Sequence, residues 1–510
     1  MKKVYLILSL IFAFAAAQAQ NIDRSKFIKD SLDTYINRAI TNWRIPGAAV
    51  CIVKDGKIVL MKGYGTKELG IMNKVDENTL FMIGSNTKAF TATALAMLQA
   101  DKKISLDEKV TKYIPEFKLD NKLAGEQAIV KDLLSHRLGF RTFQGDFTFY
   151  NTNLVRHEVI AKLGQMKPTY PFRTTWGYTN SAFLTAGEII PRVTGKQWEV
   201  YLRENIFAPL GMNSTLALSV DMPKALNRTV AHTLIDGRLT AIPYANLDGL
   251  APAGSISSSV SDMSKWVMAL LNGGRVGNKQ VIPLAAINAT RQAQDIVGSV
   301  QHLNGETNYQ LYGLGWFIQD YANHRLIMHD GGVNGYVSSV TLVPKENLGI
   351  VILTNTDQNS LYEALRWEIM DAYFKMKFSN YSDAYLSINK AAVTAEQQAD
   401  QRKRDTIALM PKPALSANKY VGKYMNDLYG SMTITPGEQR NELEMRFEHH
   451  PKMFARLQPL GGNRFYVTFS DPTYGKAVFP FFVQNGNVTG IRVKVANFVE
   501  YDPYDFKKVQ

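Results

Sequence analysis

The chain has 510 residues, 45% of them apolar and 20% charged, which excludes a disordered or fibrous protein and allows two or three domains. Its formal charge of +13 is spread along the sequence, with Arg402-Lys403-Arg404 the only compact basic run, so no basic face for a nucleic-acid partner is expected. Cys51 is the only cysteine; it excludes an intramolecular disulfide and reads as a buried structural thiol.

The chain opens with Lys2 and Lys3, an apolar run from Val4 to Ala17, and the small-x-small pattern Ala17-Gln18-Ala19. This is the pattern of a signal peptide (1–19) cut after Ala19, and it implies an exported protein, periplasmic or secreted. No later stretch has the length of a membrane span. Residues 47–54 and 57–64 alternate in polarity around Asp55-Gly56, a hairpin signal. The stretch "TKAFTATALAMLQADKK" after Ser85 is apolar on most faces, which predicts a buried helix. Mixed loops and helices fill 105–300, strand patterns return at 325–354, and 360–378 reads as a closing helix. This order predicts an α+β domain over 20–378, with an antiparallel sheet flanked by helices and a large helical subdomain. A polar, helix-prone linker follows at 379–414, and short alternating strands at 415–510 predict a small antiparallel β-barrel.

Three short patterns could carry chemistry. Ser85-Asn86-Thr87-Lys88 sets a hydroxyl and an amine three residues apart at the head of the apolar helix. Residues i and i+3 share a helix face, so the lysine could act as base to a serine nucleophile. An N-cap serine with a snorkelling lysine explains the spacing equally well. Two further Ser-x-x-Lys pairs, Ser387/Lys390 and Ser416/Lys419, lie in polar linker sequence without that setting. Tyr178-Thr179-Asn180 follows a loop containing Pro168 and Pro171 and opens a helical stretch. Tyr-x-Asn occurs five times in the chain, so here too a core tyrosine with a capping asparagine stands beside the functional reading. His329-Asp330-Gly331-Gly332 enters a strand where glycine would let backbone approach a substrate; alone, His329 reads equally as a satisfied surface histidine.

Taken in this order, the three patterns resemble those of the class C β-lactamase and D-alanyl-D-alanine carboxypeptidase (penicillin-recognising) superfamily of serine hydrolases. "LLSHRLGF" (133–140), "PLGMNST" (209–215), "AGSISSSVSDMSKW" (253–266) and "HDGGVNGY" (329–336) look like the same family, and the C-terminal strands resemble its appended lipocalin-like domain. The resemblance covers about 30–375 and implies an acyl-enzyme on Ser85, with Lys88 as base and Tyr178 as proton shuttle. It further implies substrate contacts from Asn180, His329 and Gly331, and an oxyanion hole made by the backbone N–H groups of Ser85 and Gly332. His329 would replace the lysine of the family's Lys-Thr-Gly pattern. With Asp330 beside it as a negative charge, it would weaken an anchor for a substrate carboxylate.

The expectation is therefore an exported serine hydrolase that cleaves an ester, amide or short peptide, one containing D-amino acids included, with a small molecule or peptide as its partner. A true class C-type β-lactamase is one alternative, and a non-catalytic binder of cell-wall peptides is the alternative of another class. No Gly-x-Ser-x-Gly elbow, His-Glu-x-x-His or phosphate-binding glycine loop occurs. His449-His450 has no second ligand cluster, so neither cofactor nor metal is expected. The sequence does not specify an oligomeric state.

Overall fold

In the computed structural model, which describes residues 26–303, 305 and 307–509, the Asp55-Gly56 signal becomes a hairpin of β1 (Gly47–Lys54) and β2 (Lys57–Gly65). Both turn residues have positive φ, 53° and 71°, as a tight two-residue hairpin requires. The expected signal peptide lies outside the described residues. The strand-rich part after the helical insert supplies β3 (Asp295–Gln301), β4 (Thr307–Tyr312), β5 (Phe317–Tyr321), β6 (His324–Val333), β7 (Tyr336–Val343) and β8 (Leu348–Thr354). With the hairpin these build one antiparallel eight-stranded sheet in the order β2-β1-β8-β7-β6-β5-β4-β3. The central strands β7 and β8 are buried along their whole length, because helices cover both faces; hence their sequences read as apolar runs more than as alternation.

The helices that shape the site and the domain layout are α1 (Leu32–Asn42), α2 (Thr87–Ala100), α3 (Asp146–Phe149), α4 (Asn180–Gly187), α5 (Ala251–Gly254), α6 (Leu361–Tyr373) and α7 (Tyr381–Ala408). α1 and α6 pack on one face of the sheet around Ile36, Ile40, Trp367 and Ile369. The helical subdomain packs on the other face, and α2 runs through its centre with every residue from Thr87 to Leu98 buried. A helix apolar on nearly all sides has no solvent face to offer, and its burial follows from its composition. The polar segment after residue 379 is the 28-residue α7, which buries only Tyr381, Ser382 and Leu386.

Residues beyond α7 close into a barrel of β9 (Gly422–Asn426), β10 (Gly430–Pro436), β11 (Leu443–Phe447), β12 (Phe454–Gly461), β13 (Arg464–Phe469), β14 (Lys476–Gln484), β15 (Asn487–Val493) and β16 (Tyr504–Lys508). Each strand pairs with the next and β16 returns to β9, so no edge is left unpaired. One member of the barrel's core comes from outside it: Phe147 of α3 is fully buried among barrel residues. The α+β class, the hairpin, the buried helix and the barrel all stand as the sequence led one to expect. No described helix is long and apolar enough to cross a membrane.

Candidate active site

Between β2 and α2 the chain passes through a short 3-10 turn, Gly84–Asn86, which flows directly into α2. Gly84 has φ +53°, and a Cβ there would stand 2.9 Å from the Gly332 amide nitrogen, so the turn needs glycine both for its backbone angle and for its closeness to β6. Asn86 Nδ2 donates to Ser338 Oγ at 2.8 Å and Ser338 donates to the Ile83 carbonyl at 2.8 Å, which fastens the turn to β7. Ser85 is left half-buried at the mouth of this arrangement.

Lys88, one turn on, is fully buried. Its Nζ lies 3.0 Å from Ser85 Oγ, 2.6 Å from Asn180 Oδ1 and 2.8 Å from the Ala253 carbonyl oxygen in α5. Asn180 and Ala253 can only accept at those atoms. A neutral amine therefore spends its two hydrogens on them and turns its lone pair toward the Ser85 hydroxyl. Burial pushes the Lys88 pKa well below the ordinary lysine value, while the Asp146 carboxyl pulls it back up.

The orientation of the Asn180 amide is fixed from behind: its Nδ2 donates to Asp146 Oδ2 at 2.6 Å. Asp146 is itself buried, and loss of hydration raises its pKa to about 7 against the pull of Asn180 and Lys88. Tyr178 is buried with its hydroxyl toward Ser85, close enough to temper the upward shift that burial gives the phenol, yet completing no hydrogen bond. Its ring lies 4.3 Å from the His136 ring, tilted by 31°, and Lys88 Nζ lies 4.5 Å from its centroid.

His329 is not a surface residue: it is 2% exposed. A chain of contacts settles its proton. The Thr179 N–H donates to His136 Nδ1 at 2.9 Å, so His136 carries its hydrogen on Nε2 and donates to the Tyr312 hydroxyl at 3.2 Å. Tyr312 in turn donates to His329 Nε2 at 3.2 Å, and His329 Nδ1–H donates to the Asp330 carbonyl at 2.6 Å. Burial, with the nearby Lys88 charge, lowers the His329 pKa to about 4. The imidazole is neutral with both nitrogens engaged.

The expectation that Asp330 adds negative charge to the cleft is corrected here. Strand alternation sends its side chain to the other face of the sheet, where it pairs with the buried Arg366 of α6 at 2.7 Å. The two glycines also differ. Gly331 is buried, and a Cβ there would lie 1.9 Å from the Ile83 carbonyl, so it lets β6 pass against the turn that carries Ser85. Gly332 is exposed, and a Cβ there would meet the Phe498 ring at 3.3 Å. The barrel thus places an aromatic side chain at the rim of the site.

Ser85, Lys88, Tyr178, Asn180, His329, Gly331 and Gly332 therefore converge on one region. Ser387 hydrogen-bonds its own helix, and Ser416 stands at the N-cap position of a short one without a side-chain capping bond, so neither rival Ser-x-x-Lys pair has partners of this kind. His449 and His450 join the two domains: His450 Nε2 donates to the Tyr150 carbonyl and His449 meets Asn153 Oδ1. Asp146, His136 and Tyr312 complete the site's interior without having been singled out in sequence. His136 stands inside one of the family-like stretches, whereas Asp146 and Tyr312 carry no pattern of their own.

A family model described as Beta-lactamase matches residues 32–374, and one described as Domain of unknown function (DUF3471) matches residues 409–508. Among curated proteins, the chain is 30% identical over 427 residues to unguisins hydrolase ungD' of Aspergillus campestris, covering 80% of this chain and 78% of that one. It is 28% identical to Protein flp of Staphylococcus aureus, over 67% of each chain. Among solved structures, the octameric penicillin-binding protein homologue from Pyrococcus abyssi aligns with a TM-score of 0.59 at 21% identity, over 94% of this chain and 99% of that one. The D-stereospecific amidohydrolase from Streptomyces sp. aligns with a TM-score of 0.51 at 21% identity, over 64% of this chain and 93% of that one.

Proposed function

Since the chain belongs to the beta-lactamase family, we propose that it is a serine hydrolase working through an acyl-enzyme on Ser85, with an amide or short peptide as its preferred substrate. The observation that carries this reading is the Lys88 contact set. Two fixed acceptors take the amine's hydrogens and leave its lone pair to the Ser85 hydroxyl.

In the proposed reaction the Ser85 proton passes to Lys88 Nζ as Oγ attacks the substrate carbonyl carbon. The developing oxyanion is held by the backbone N–H groups of Ser85 and Gly332. Tyr178 gives its hydroxyl proton to the departing amine and recovers one from Lys88. Burial moves the two groups in opposite directions, the lysine down toward a useful base and the phenol up toward a proton donor, and this divides their roles. In deacylation water attacks the ester carbonyl, gives its proton through the same pair, and Ser85 leaves with a proton restored.

His329 supports an amide over a β-lactam. A neutral imidazole with both nitrogens engaged supplies no cation for a substrate carboxylate at the position where the penicillin-recognising enzymes hold lysine. The weak anchor rests on His329 alone, since Asp330 faces away. A curated relative named as a hydrolase and a fold neighbour named as a D-stereospecific amidohydrolase are in keeping with amide cleavage.

A fluorophosphonate probe tests the nucleophile: intact-mass analysis should show one adduct on the wild type and none on Ser85→Ala. A panel of D- and L-aminoacyl anilides, p-nitrophenyl esters and a chromogenic cephalosporin tests the substrate. Rapid cephalosporin turnover that vanishes in Ser85→Ala would restore the β-lactamase reading, and absence of any Ser85 adduct would favour a non-catalytic peptide binder.

A further inference from the structure

The barrel does more than stand beside the catalytic domain; it grips one segment of it from both ends. Glu500, 1% exposed, lies on the barrel side of the contact, just before β16. Its Oε1 accepts from the Gly145 N–H and its Oε2 from the Phe147 N–H, both at 2.8 Å, while the Tyr504 hydroxyl donates to Oε2 at 2.9 Å. At the far end of the segment, His450 Nε2 and the Tyr474 hydroxyl donate to the Tyr150 carbonyl at 3.2 and 3.1 Å. Between these clamps the Phe147 ring stacks on Tyr429 at 4.8 Å and lies 5.4 Å from Tyr504. The interior that an eight-stranded barrel of this size can give to one small ligand holds a side chain of the same polypeptide.

The residue between the two N–H groups that Glu500 holds is Asp146. On the other side of that turn, Asp146 fixes the Asn180 amide, and Asn180 Oδ1 takes a hydrogen of Lys88. Just before the turn the chain touches both sides: the Phe143 N–H donates to the Tyr178 carbonyl at 2.8 Å, and Arg141 pairs with Asp502 on the barrel side at 2.6 Å.

We propose that the barrel is a positioning element of the active site, and that Glu500 acts through the Gly145–Phe147 turn on Asp146 to hold the Asn180 amide with its oxygen toward Lys88. Without that hold the amide can rotate. Its NH2 group would then donate to the Lys88 lone pair and withdraw it from Ser85. Glu500 touches no substrate; it is a positioning residue, and its effect falls on the chemical step rather than on binding. This inference rests on the serine-hydrolase reading above for its kinetic consequence but not for its geometric one.

The test uses full-length Glu500→Ala, Asp146→Ala and the double variant. The rate of Ser85 labelling by the fluorophosphonate, and kcat on the best panel substrate, should fall about 100-fold in Glu500→Ala, the scale of a small misplacement of catalytic groups, with KM nearly unchanged. Adding Glu500→Ala to Asp146→Ala should cost little more, because both act along one path. Wild-type labelling in Glu500→Ala, or losses that multiply in the double variant, would overturn the proposal. If Glu500→Ala does not fold, the isosteric Glu500→Gln is read by the same two criteria. A crystal structure of whichever variant folds gives an arm that needs no turnover: the 2.6 Å Asp146–Asn180 contact should be lost, and its survival overturns the proposal whether or not Ser85 reacts. A wild-type enzyme that never labels would instead count against the hydrolase reading.

Discussion

At the scale of single residues, burial favours the neutral form of both Lys88 and His329, and the proposed reaction needs the two for different reasons. Lys88 is buried among acceptors that suit an amine, and its pKa is lowered by that burial; in the proposed reaction it acts as base once its proton has gone. The rate of Ser85 acylation should therefore rise with pH through the lowered Lys88 pKa and level off beyond it. His329 has its pKa near 4 and is already neutral throughout that range, so it contributes no step to the profile. Stopped-flow acylation between pH 5 and 10 checks both statements. His329→Gln should keep the acid limb where it is, whereas Lys88→Ala should remove acylation by several orders of magnitude. A limb that moves with His329→Gln would assign the titration to the wrong residue here.

At the scale of elements, the site depends on one strand and one turn passing closer than side chains normally allow. β6 runs beside the Gly84–Asn86 turn with Gly331 against the Ile83 carbonyl at a separation that a methyl group could not share. Gly331→Ala should force the strand and turn apart, destabilising the protein by about 1–3 kcal/mol and depressing activity through Ser85. Thermal melting and Ser85 labelling on the same sample measure the two effects. Gly332→Ala faces only the edge of the Phe498 ring at 3.3 Å and should cost much less stability. What the sequence made legible follows this same division. The Ser85–Lys88 pair lies within one helical turn, so its spacing carried the geometry, and the all-apolar character of α2 announced the burial that tunes Lys88. The strands announced themselves by apolar runs and the hairpin by Asp55-Gly56. Asp330 was misjudged because reading it as a cleft charge ignores strand alternation, which pairs it with Arg366 instead. Tyr312 and Asp146 were invisible because each is an ordinary residue in an ordinary stretch, made special by partners 17 and 34 positions away. Glu500 is a harder case, since its partners lie 355 and 353 positions away and no local pattern links them.

At the scale of the whole molecule, the two domains meet through buried acids, and that makes their union sensitive to pH. Glu500 is raised from the ordinary glutamate range to about 8, chiefly by loss of hydration and against the pull of the Gly145 and Phe147 N–H groups. Asp146 adds to that rise in Glu500 and is itself raised to about 7 by loss of hydration. An acid whose pKa is higher in the folded state binds more protons there than in the unfolded chain. Its contribution is therefore fully present below the unfolded value and is lost as pH rises through the folded one. For Glu500 that window runs from about 4.5 to about 8, and across it the folded protein should lose stability on the order of a few kcal/mol. Glu500→Gln cannot ionise, so it should flatten the decline while losing one acceptor at the clamp. The comparison that isolates Glu500 is the difference in slope, wild type against Glu500→Gln, of unfolding free energy from urea titrations between pH 5 and 8. Phe147→Ala provides the matching packing control: it should lower stability by about 3–5 kcal/mol at every pH and leave the slope as it was. Parallel slopes in wild type and Glu500→Gln would show that the carboxyl stays ionised in the interface, and that the barrel is held by the Phe147 ring and the Tyr150 carbonyl clamp rather than by a protonated acid.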